Sequence, residues 1–212
     1  MAEPAPRRAA RLGRRIATVL VPAVALSGCA SAQVDGDELY ATARQANLLF
    51  KETVAAVLVH LSDGTWQVQE YGDLPVDCDP GYAFALHRTT YEGWTLDADA
   101  PTTADRIAEW LTARGWTAKA PETDVDGQVV VEASHPALAI DSLVIAIRDG
   151  EGSADAIGVG ATTTCFDGDA EELTELLYPG YPDDPVDHEP LPTGEAAGAT
   201  PIFGFTEDGR PR

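Results

Sequence analysis

The sequence predicts an α+β domain: a mostly antiparallel sheet of five to six strands with helices packed on one face. Three observations favour this class. A long segment beginning near residue 38 repeats its apolar residues every three or four positions, which is the period of a helix. Several later segments alternate apolar and polar residues, as half-buried strands do. Most of the predicted strands are joined by short loops rich in glycine and acidic residues, which favours hairpins over crossovers.

The first element is a helix from Glu38 to Leu61. Asp35 or Asp37 is suited to cap its N terminus, and the turn at residues 62–64 ends it. The apolar residues at steps of three or four fall on one helical face. They are Leu39, Ala43, Ala46, Phe50, Val54, Val57 and Leu61.

Two strands and a second helix follow. Residues 66–71 alternate as a strand does, residues 72–81 form a loop with two prolines, and residues 82–91 alternate again. A bend at Gly93 could extend this second strand to Leu96. The next helix opens at Pro101, and Gly115 is placed to cap its C terminus.

The sequence of the second half of the domain predicts two hairpins and a short helix. Residues 116–120 and 128–134 are joined by an acidic loop, and residues 141–148 and 155–164 by a glycine-rich turn. The third helix then starts at Asp169, with Glu172 at the spacing of a capping box, and ends before Pro179. The pattern does not fix the strand order.

These elements place one globular domain at residues 38–177. Residues 178–212 contain seven prolines and, apart from Ile202, Phe203 and Phe205, few large apolar residues. This acidic tail is therefore predicted to be disordered.

Residues 1–28 have the three parts of a secretory signal peptide. Five arginines precede an apolar run from Ile16 to Leu26, and small residues lead to Cys29. The run has 11 residues and contains Pro22, whereas a membrane-spanning helix needs about 20. Two arginine pairs are present, but the rest of a twin-arginine export pattern does not follow either pair, which favours general secretion.

The segment Leu26-Ser27-Gly28-Cys29 resembles the lipobox of bacterial lipoproteins. In that family the cysteine receives a diacylglyceryl group and the preceding peptide is removed, so the resemblance implies lipidation of Cys29, with fatty acids such as palmitate. Two acyl chains form a stable membrane anchor, whereas one myristoyl chain binds marginally. The resemblance thus implies a lipoprotein on the extracytoplasmic face of the cell membrane, with residues 29–37 as its tether.

The two other cysteines, Cys78 and Cys165, are predicted to form a structural disulfide in an oxidising compartment. A redox pair or a catalytic thiol is the alternative. The sequence has no Cys-x-x-Cys motif and nothing that marks either thiol as activated.

The charge of the chain restricts its partners. Five of the 14 basic residues and one of the 35 acidic residues precede Cys29, so the remainder carries 9 basic and 34 acidic residues, a formal charge of −25. Such a chain is a poor ligand for nucleic acid. Anionic headgroups would repel it too, so contact with the membrane should depend on the lipid at Cys29.

Motifs for catalysis and for metal binding are weak. There is no Gly-x-Ser-x-Gly, Ser-x-x-Lys or His-Glu-x-x-His, and the four histidines are scattered. The loop from Glu122 to Gly127 resembles the start of an EF-hand, but Ala133 stands where the bidentate glutamate belongs. A hairpin loop of solvated acids is the favoured interpretation. No cofactor, metal ligand or catalytic residue is assigned.

The leading functional hypothesis is a lipid-anchored extracytoplasmic binding or adaptor protein of unknown ligand, not an enzyme. A wall hydrolase with two catalytic carboxylates is one alternative, although 34 acidic residues in the chain from Cys29 onward identify no particular pair. A carrier of a cation or small ligand is another, because the disulfide would bring four acidic residues together. They are Asp77, Asp79, Asp167 and Asp169.

Overall fold

A computed structural model describes residues 36–91, 93–150, 154–179, 193–199 and 205. The predicted signal peptide, most of the predicted tether and Cys29 lie outside these residues. Three helices occur in the described part: α1 (Gly36–Leu61), α2 (Ala100–Thr112) and α3 (Ala170–Leu177). A 3₁₀ turn covers Pro136–Leu138.

The α+β class is confirmed, with more strands than predicted. The described residues form a nine-stranded sheet with antiparallel pairing throughout. Three short strands, β2, β5 and β9, were not expected. The nine strands are β1 (Thr65–Glu70), β2 (Pro75–Asp77), β3 (Tyr82–Thr90), β4 (Thr117–Ala118), β5 (Glu122–Thr123), β6 (Val129–His135), β7 (Ile140–Arg148), β8 (Ala156–Thr163) and β9 (Gly194–Ala196).

The sheet has the order β4-β6-β7-β8-β3-β1-β9, and β2 pairs with β3 and β5 with β6. The predicted β7–β8 hairpin is present, and β4 and β6 pair as predicted. The strand β1 follows α1 directly, yet it lies near one edge of the sheet, where β9 covers it.

Alternate residues of the central strands join the helices in one core. Phe84 of β3, Ile145 of β7 and Val159 of β8 are fully buried together with Phe50 of α1 and Leu111 of α2. This alternation follows from the two-residue period of a strand, which sends successive side chains to opposite faces. The apolar periods read from the sequence thus correspond to the real core.

Aspartate side chains cap two of the helices. The Asp169 carboxylate accepts a hydrogen bond of 2.9 Å from the Glu172 backbone N–H, which caps α3 as expected. Asp99 does the same for α2 by accepting from the Thr102 N–H at 2.7 Å. Gly115 has φ +86° in the turn that ends α2, a left-handed conformation that favours glycine.

The prediction of a disordered tail is wrong for its described residues. The strand β9 pairs with β1, and Phe205 is fully buried, with its ring 5.6 Å from that of Tyr40 and 5.8 Å from that of Phe84. The physical reason is that average composition hides short segments. Three residues suffice to pair with a strand edge, and one aromatic ring gains enough by burial to be held in the core.

The predicted disulfide between Cys78 and Cys165 is present, with the two Cα atoms 6.0 Å apart. It lies where β3 begins and β8 has just ended. Beside it, Tyr82 and Phe166 exchange two backbone hydrogen bonds of 3.0 and 2.7 Å. Gly81 is required there, because it has φ +107° and a Cβ atom would lie 1.9 Å from the Phe166 carbonyl oxygen.

We expect that replacing both Cys78 and Cys165 with alanine will lower the free energy of unfolding by about 2 to 4 kcal/mol. The bridge closes a loop between positions 87 residues apart, and its loss enlarges the unfolded ensemble. Urea unfolding with and without a reductant measures the effect. The reductant should destabilise only the unsubstituted protein, and an equal response in the double variant would contradict a role for the bridge.

Candidate functional site: a buried charge cluster

Five polar side chains are buried together at the β1 edge of the sheet. We call Asn47, Lys51, Asp73, Arg88 and Glu195 the buried charge cluster. The first four are 1 to 3% exposed, and the side chain of Glu195 is 7% exposed. Charged residues are rarely buried to this extent unless they are paired, so the cluster is the part of the described chain that most needs a physical explanation.

Four members lie on a helix or strand, and Asp73 lies in the loop between β1 and β2. Asn47 and Lys51 continue the inward row of α1 that begins with Leu39 and Ala43 at steps of four residues. Arg88 continues the inward positions of β3. We did not assign these residues from the sequence, although a lysine and an arginine at apolar positions of clear periodic patterns were a signal that could have identified them.

Two ion pairs hold the cluster together. The Lys51 ammonium pairs with Asp73 Oδ1, and Arg88 Nε donates to Glu195 Oε1 at 2.5 Å. The second branch of the guanidinium, Nη1, donates to the backbone carbonyls of Glu70 and His87. With two cations and two anions the cluster is neutral, which is what allows it to be buried.

The cluster is not completely satisfied. Three of its acceptor atoms, Asn47 Oδ1, Asp73 Oδ2 and Glu195 Oε2, have no hydrogen-bond donor among the described residues. The amide of Asn47 donates to the Gly72 carbonyl at 2.6 Å, so only its oxygen is unpaired. A buried acceptor without a donor costs about 1 to 3 kcal/mol, so the cluster could accept further donors.

Burial also shifts protonation. Burial raises the pKa of Asp73 to about 6, against the opposing effect of the nearby Lys51 charge, and burial lowers the pKa of Lys51. Burial and the charge of Asp73 raise the pKa of the Tyr178 hydroxyl. Shifts of this kind are typical of functional sites, although structural ion pairs also produce them.

The Asp73 shift predicts a pH dependence of stability. A folded pKa of about 6, above the usual 3.8, means that this group contributes stability below about pH 4 and loses that contribution as the pH rises through about 6. The span is up to about 3 kcal/mol. The free energy of unfolding, measured with denaturant between pH 4 and 7.5, should therefore fall more steeply with rising pH in the unsubstituted protein than in the double variant Lys51→Met, Asp73→Leu.

Asp155 provides a control, because its contribution to stability depends on pH in the opposite direction to that of Asp73. Its carboxylate accepts hydrogen bonds from the Leu96 and Gly150 N–H groups, each at 2.8 Å, and these bonds lower its pKa. This contribution is present above the unfolded pKa and disappears as the pH falls. Asp155→Asn should thus flatten the acid side of the profile only, and identical profiles for both variants would contradict the assignment.

The acidic residues beside the two disulfide cysteines are not part of the buried charge cluster. Asp77 and Asp79 are exposed near the disulfide, and Asp169 caps α3. Among the residues that the structure describes, no group of three or more histidine, cysteine, aspartate or glutamate side chains could hold a metal ion. The disulfide therefore brings two acidic loops together without giving them the convergence that a metal ion needs.

The acidic loop is closed by its own hydrogen bonds. Asp124 Oδ1 accepts from the N–H groups of Asp126 and Gln128 at 2.9 and 2.8 Å, and Glu122 belongs to the strand β5, in register with Val130. The favoured interpretation of this segment as a hairpin loop agrees with this geometry, because β5 and β6 pair on either side of the turn.

The tryptophans divide between the core and one surface stack. Trp66 and Trp116 are buried. The Trp110 ring stacks on His60 with centroids 3.9 Å apart, and the Arg114 guanidinium lies 4.1 Å from its centroid. This stack joins the end of α1 to α2 and is explained as packing.

No family model, no curated protein and no solved structure matches this chain. In the part of the chain that the structure describes, none of the helices combines the length and the hydrophobicity needed to cross a bilayer. The functional interpretation therefore depends on the residues themselves.

Proposed function

We propose that the protein is a lipid-anchored extracytoplasmic binding or adaptor protein. The observation that carries the proposal is the use of the three cysteines. Two of them form a disulfide inside the domain, and the third, Cys29, stands at the end of a segment that resembles a lipobox. A bridge of this kind is typical of oxidising compartments, so it supports export independently of the N-terminal pattern.

The position of α1 supports this arrangement. The helix begins at Gly36, seven residues after Cys29, and a Cβ atom at Gly36 would lie 3.7 Å from the Leu176 side chain of α3. Seven residues span at most about 25 Å, so a lipid on Cys29 would hold the domain close to the membrane.

The burial and ion pairing of Asp73 favour a binding function over hydrolysis. A glycosidase needs two carboxyl groups that face a cleft, one of them with a raised pKa. Burial raises the pKa of Asp73 to about 6, but this carboxyl group is 2% exposed and paired with Lys51. This group is therefore better suited to maintain structure at a binding edge than to protonate a polymer.

The anchor is tested by labelling a bacterium that expresses the full chain with an alkyne fatty acid. We expect the protein to carry the label and to partition into the detergent phase. Cys29→Ser should lose both properties, because the acylated sulfur is gone. The matched control, Cys78→Ser, removes a different thiol and should keep the label. A labelled Cys29→Ser variant, or an unlabelled native chain, would overturn the proposal.

A further inference from the structure

We propose that the edge of β1, together with Arg88, is a recognition site for an extended Gly-Glu strand of a partner protein, and that β9 occupies this site in cis. The inference rests on the proposed binding function and gives it a partner chemistry. In this view the tail is a competing strand that must leave before the partner can bind. The contacts of β9 define what such a partner needs.

The backbone contacts are those of strand addition. The strand β9 is in register with Thr65 to Gln67, the Val68 N–H donates to the Thr193 carbonyl at 2.9 Å, and the Ala197 N–H donates to the Gly64 carbonyl at 3.1 Å. In the part of the chain that the structure describes, β9 is in register with three of the six residues of β1. A partner strand that replaces β9 would use the same main-chain hydrogen bonds at this edge.

The side chain of Glu195 supplies the charge that the site requires. When β9 leaves, the cations Lys51 and Arg88 face the single anion Asp73 inside the domain. The resulting positive charge is exceptional in a chain of formal charge −21. Arg88 then needs an external carboxylate, because an unpaired buried guanidinium is strongly unfavourable.

The geometry favours a small residue before the glutamate. A Cβ atom at Gly194 would lie 2.2 Å from the Tyr91 hydroxyl and 3.3 Å from the Thr65 side chain. The Tyr91 hydroxyl donates to the Thr193 carbonyl at 3.4 Å, so a side chain at position 194 would displace a ring that itself binds the strand. The site therefore favours glycine before the glutamate, because a larger residue would force Tyr91 to move.

The cis strand also leaves room for a better ligand. Asp73 Oδ2 and Asn47 Oδ1 remain in the site when β9 leaves, and both are buried acceptors without a donor in the described part of the chain. A partner that adds N–H or O–H groups beside its glutamate would satisfy them. This deficit supports exchange of the strand, because the closed form is not the best that the site can bind.

The test uses a fluorescent peptide with the sequence of residues 191–199, Leu-Pro-Thr-Gly-Glu-Ala-Ala-Gly-Ala. Anisotropy is measured with the full chain and with its Glu195→Gln variant. We expect binding to both, at least 10-fold tighter to the variant because its own tail has lost the charge that holds it. Peptides with glutamine for the glutamate, or valine for the preceding glycine, should bind at least 10-fold more weakly.

Hydrogen exchange in the unsubstituted chain gives a second measurement. The amides of Val68 and Ala197 should exchange faster than those of the central strand β7, and the peptide should protect Val68. Equal binding of the glutamate and glutamine peptides, or no binding at millimolar peptide, would overturn the inference. So would Val68 exchange as slow as that of β7. None of these readouts depends on Cys29, so a failure of fatty-acid labelling is distinguishable from a failure of strand exchange.

Discussion

Replacing Glu195 with alanine is expected to lower the free energy of unfolding by about 3 to 5 kcal/mol, which is the range for breaking one partner from a buried ion pair. The variant leaves Arg88, which is 1% exposed, without its carboxylate. A change this large from a residue in the tail would establish that the tail belongs to the folded domain. Urea unfolding followed by tryptophan fluorescence measures it.

The exposed pair Lys119–Glu132 is the matched control. Its side chains are 73 and 51% exposed, and the two charged atoms are 2.5 Å apart. Glu132→Ala should cost less than about 1 kcal/mol, because water screens the pair. The double variant Arg88→Met, Glu195→Leu should recover most of the lost stability, since it removes both buried charges. Equal small effects of Glu195→Ala and Glu132→Ala would contradict the buried pair.

Phe205→Ala is expected to cost about 3 to 5 kcal/mol by opening a cavity in the core. Phe205 is fully buried, and its ring contacts those of Tyr40 from α1 and Phe84 from β3. Its loss should also make the tail more sensitive to limited proteolysis, because this ring ties the tail to the core. Thermal unfolding and cleavage rates are the measurements.

Val125→Ala is the control for this second substitution. Val125 lies at the tip of the acidic loop with its side chain completely exposed, at 101%. Its truncation should change the unfolding free energy by less than about 0.5 kcal/mol. A Phe205→Ala protein as stable as the Val125→Ala protein would show that the tail ring does not contribute to the core in solution.

The sequence predicted those parts of the fold that depend on local repetition. The helix α1, the β7–β8 hairpin and the Asp169 cap each occupy a continuous stretch whose residues determine their own environment. The disulfide was also predictable, because only one pairing was left once Cys29 was assigned to the lipid. In the fold, the loops that carry Cys78 and Cys165 approach each other at the start of β3, which allows the bond to form.

The candidate site was less predictable because its partners are distant in the chain. The alternation of residues along β3 already places Arg88 on the buried face. The carboxylate that pairs with Arg88 belongs to Glu195, 107 residues later in the chain. Nothing near either residue identifies the other. The short strands β2 and β5 were missed for a related reason, since three and two residues are too few to show an alternation, and both exist through their pairing with longer strands.

The pairing of β1 with β9 has a consequence for how the polypeptide is made. At about 5 to 20 residues per second, a ribosome needs roughly 5 to 20 seconds to travel from Arg88 to Glu195. During that time the guanidinium has no counter-ion and the first strand has a bare edge. A truncated product that stops before Glu195 lacks both the carboxylate and the covering strand, so we expect it to keep an unpaired guanidinium and an open strand edge.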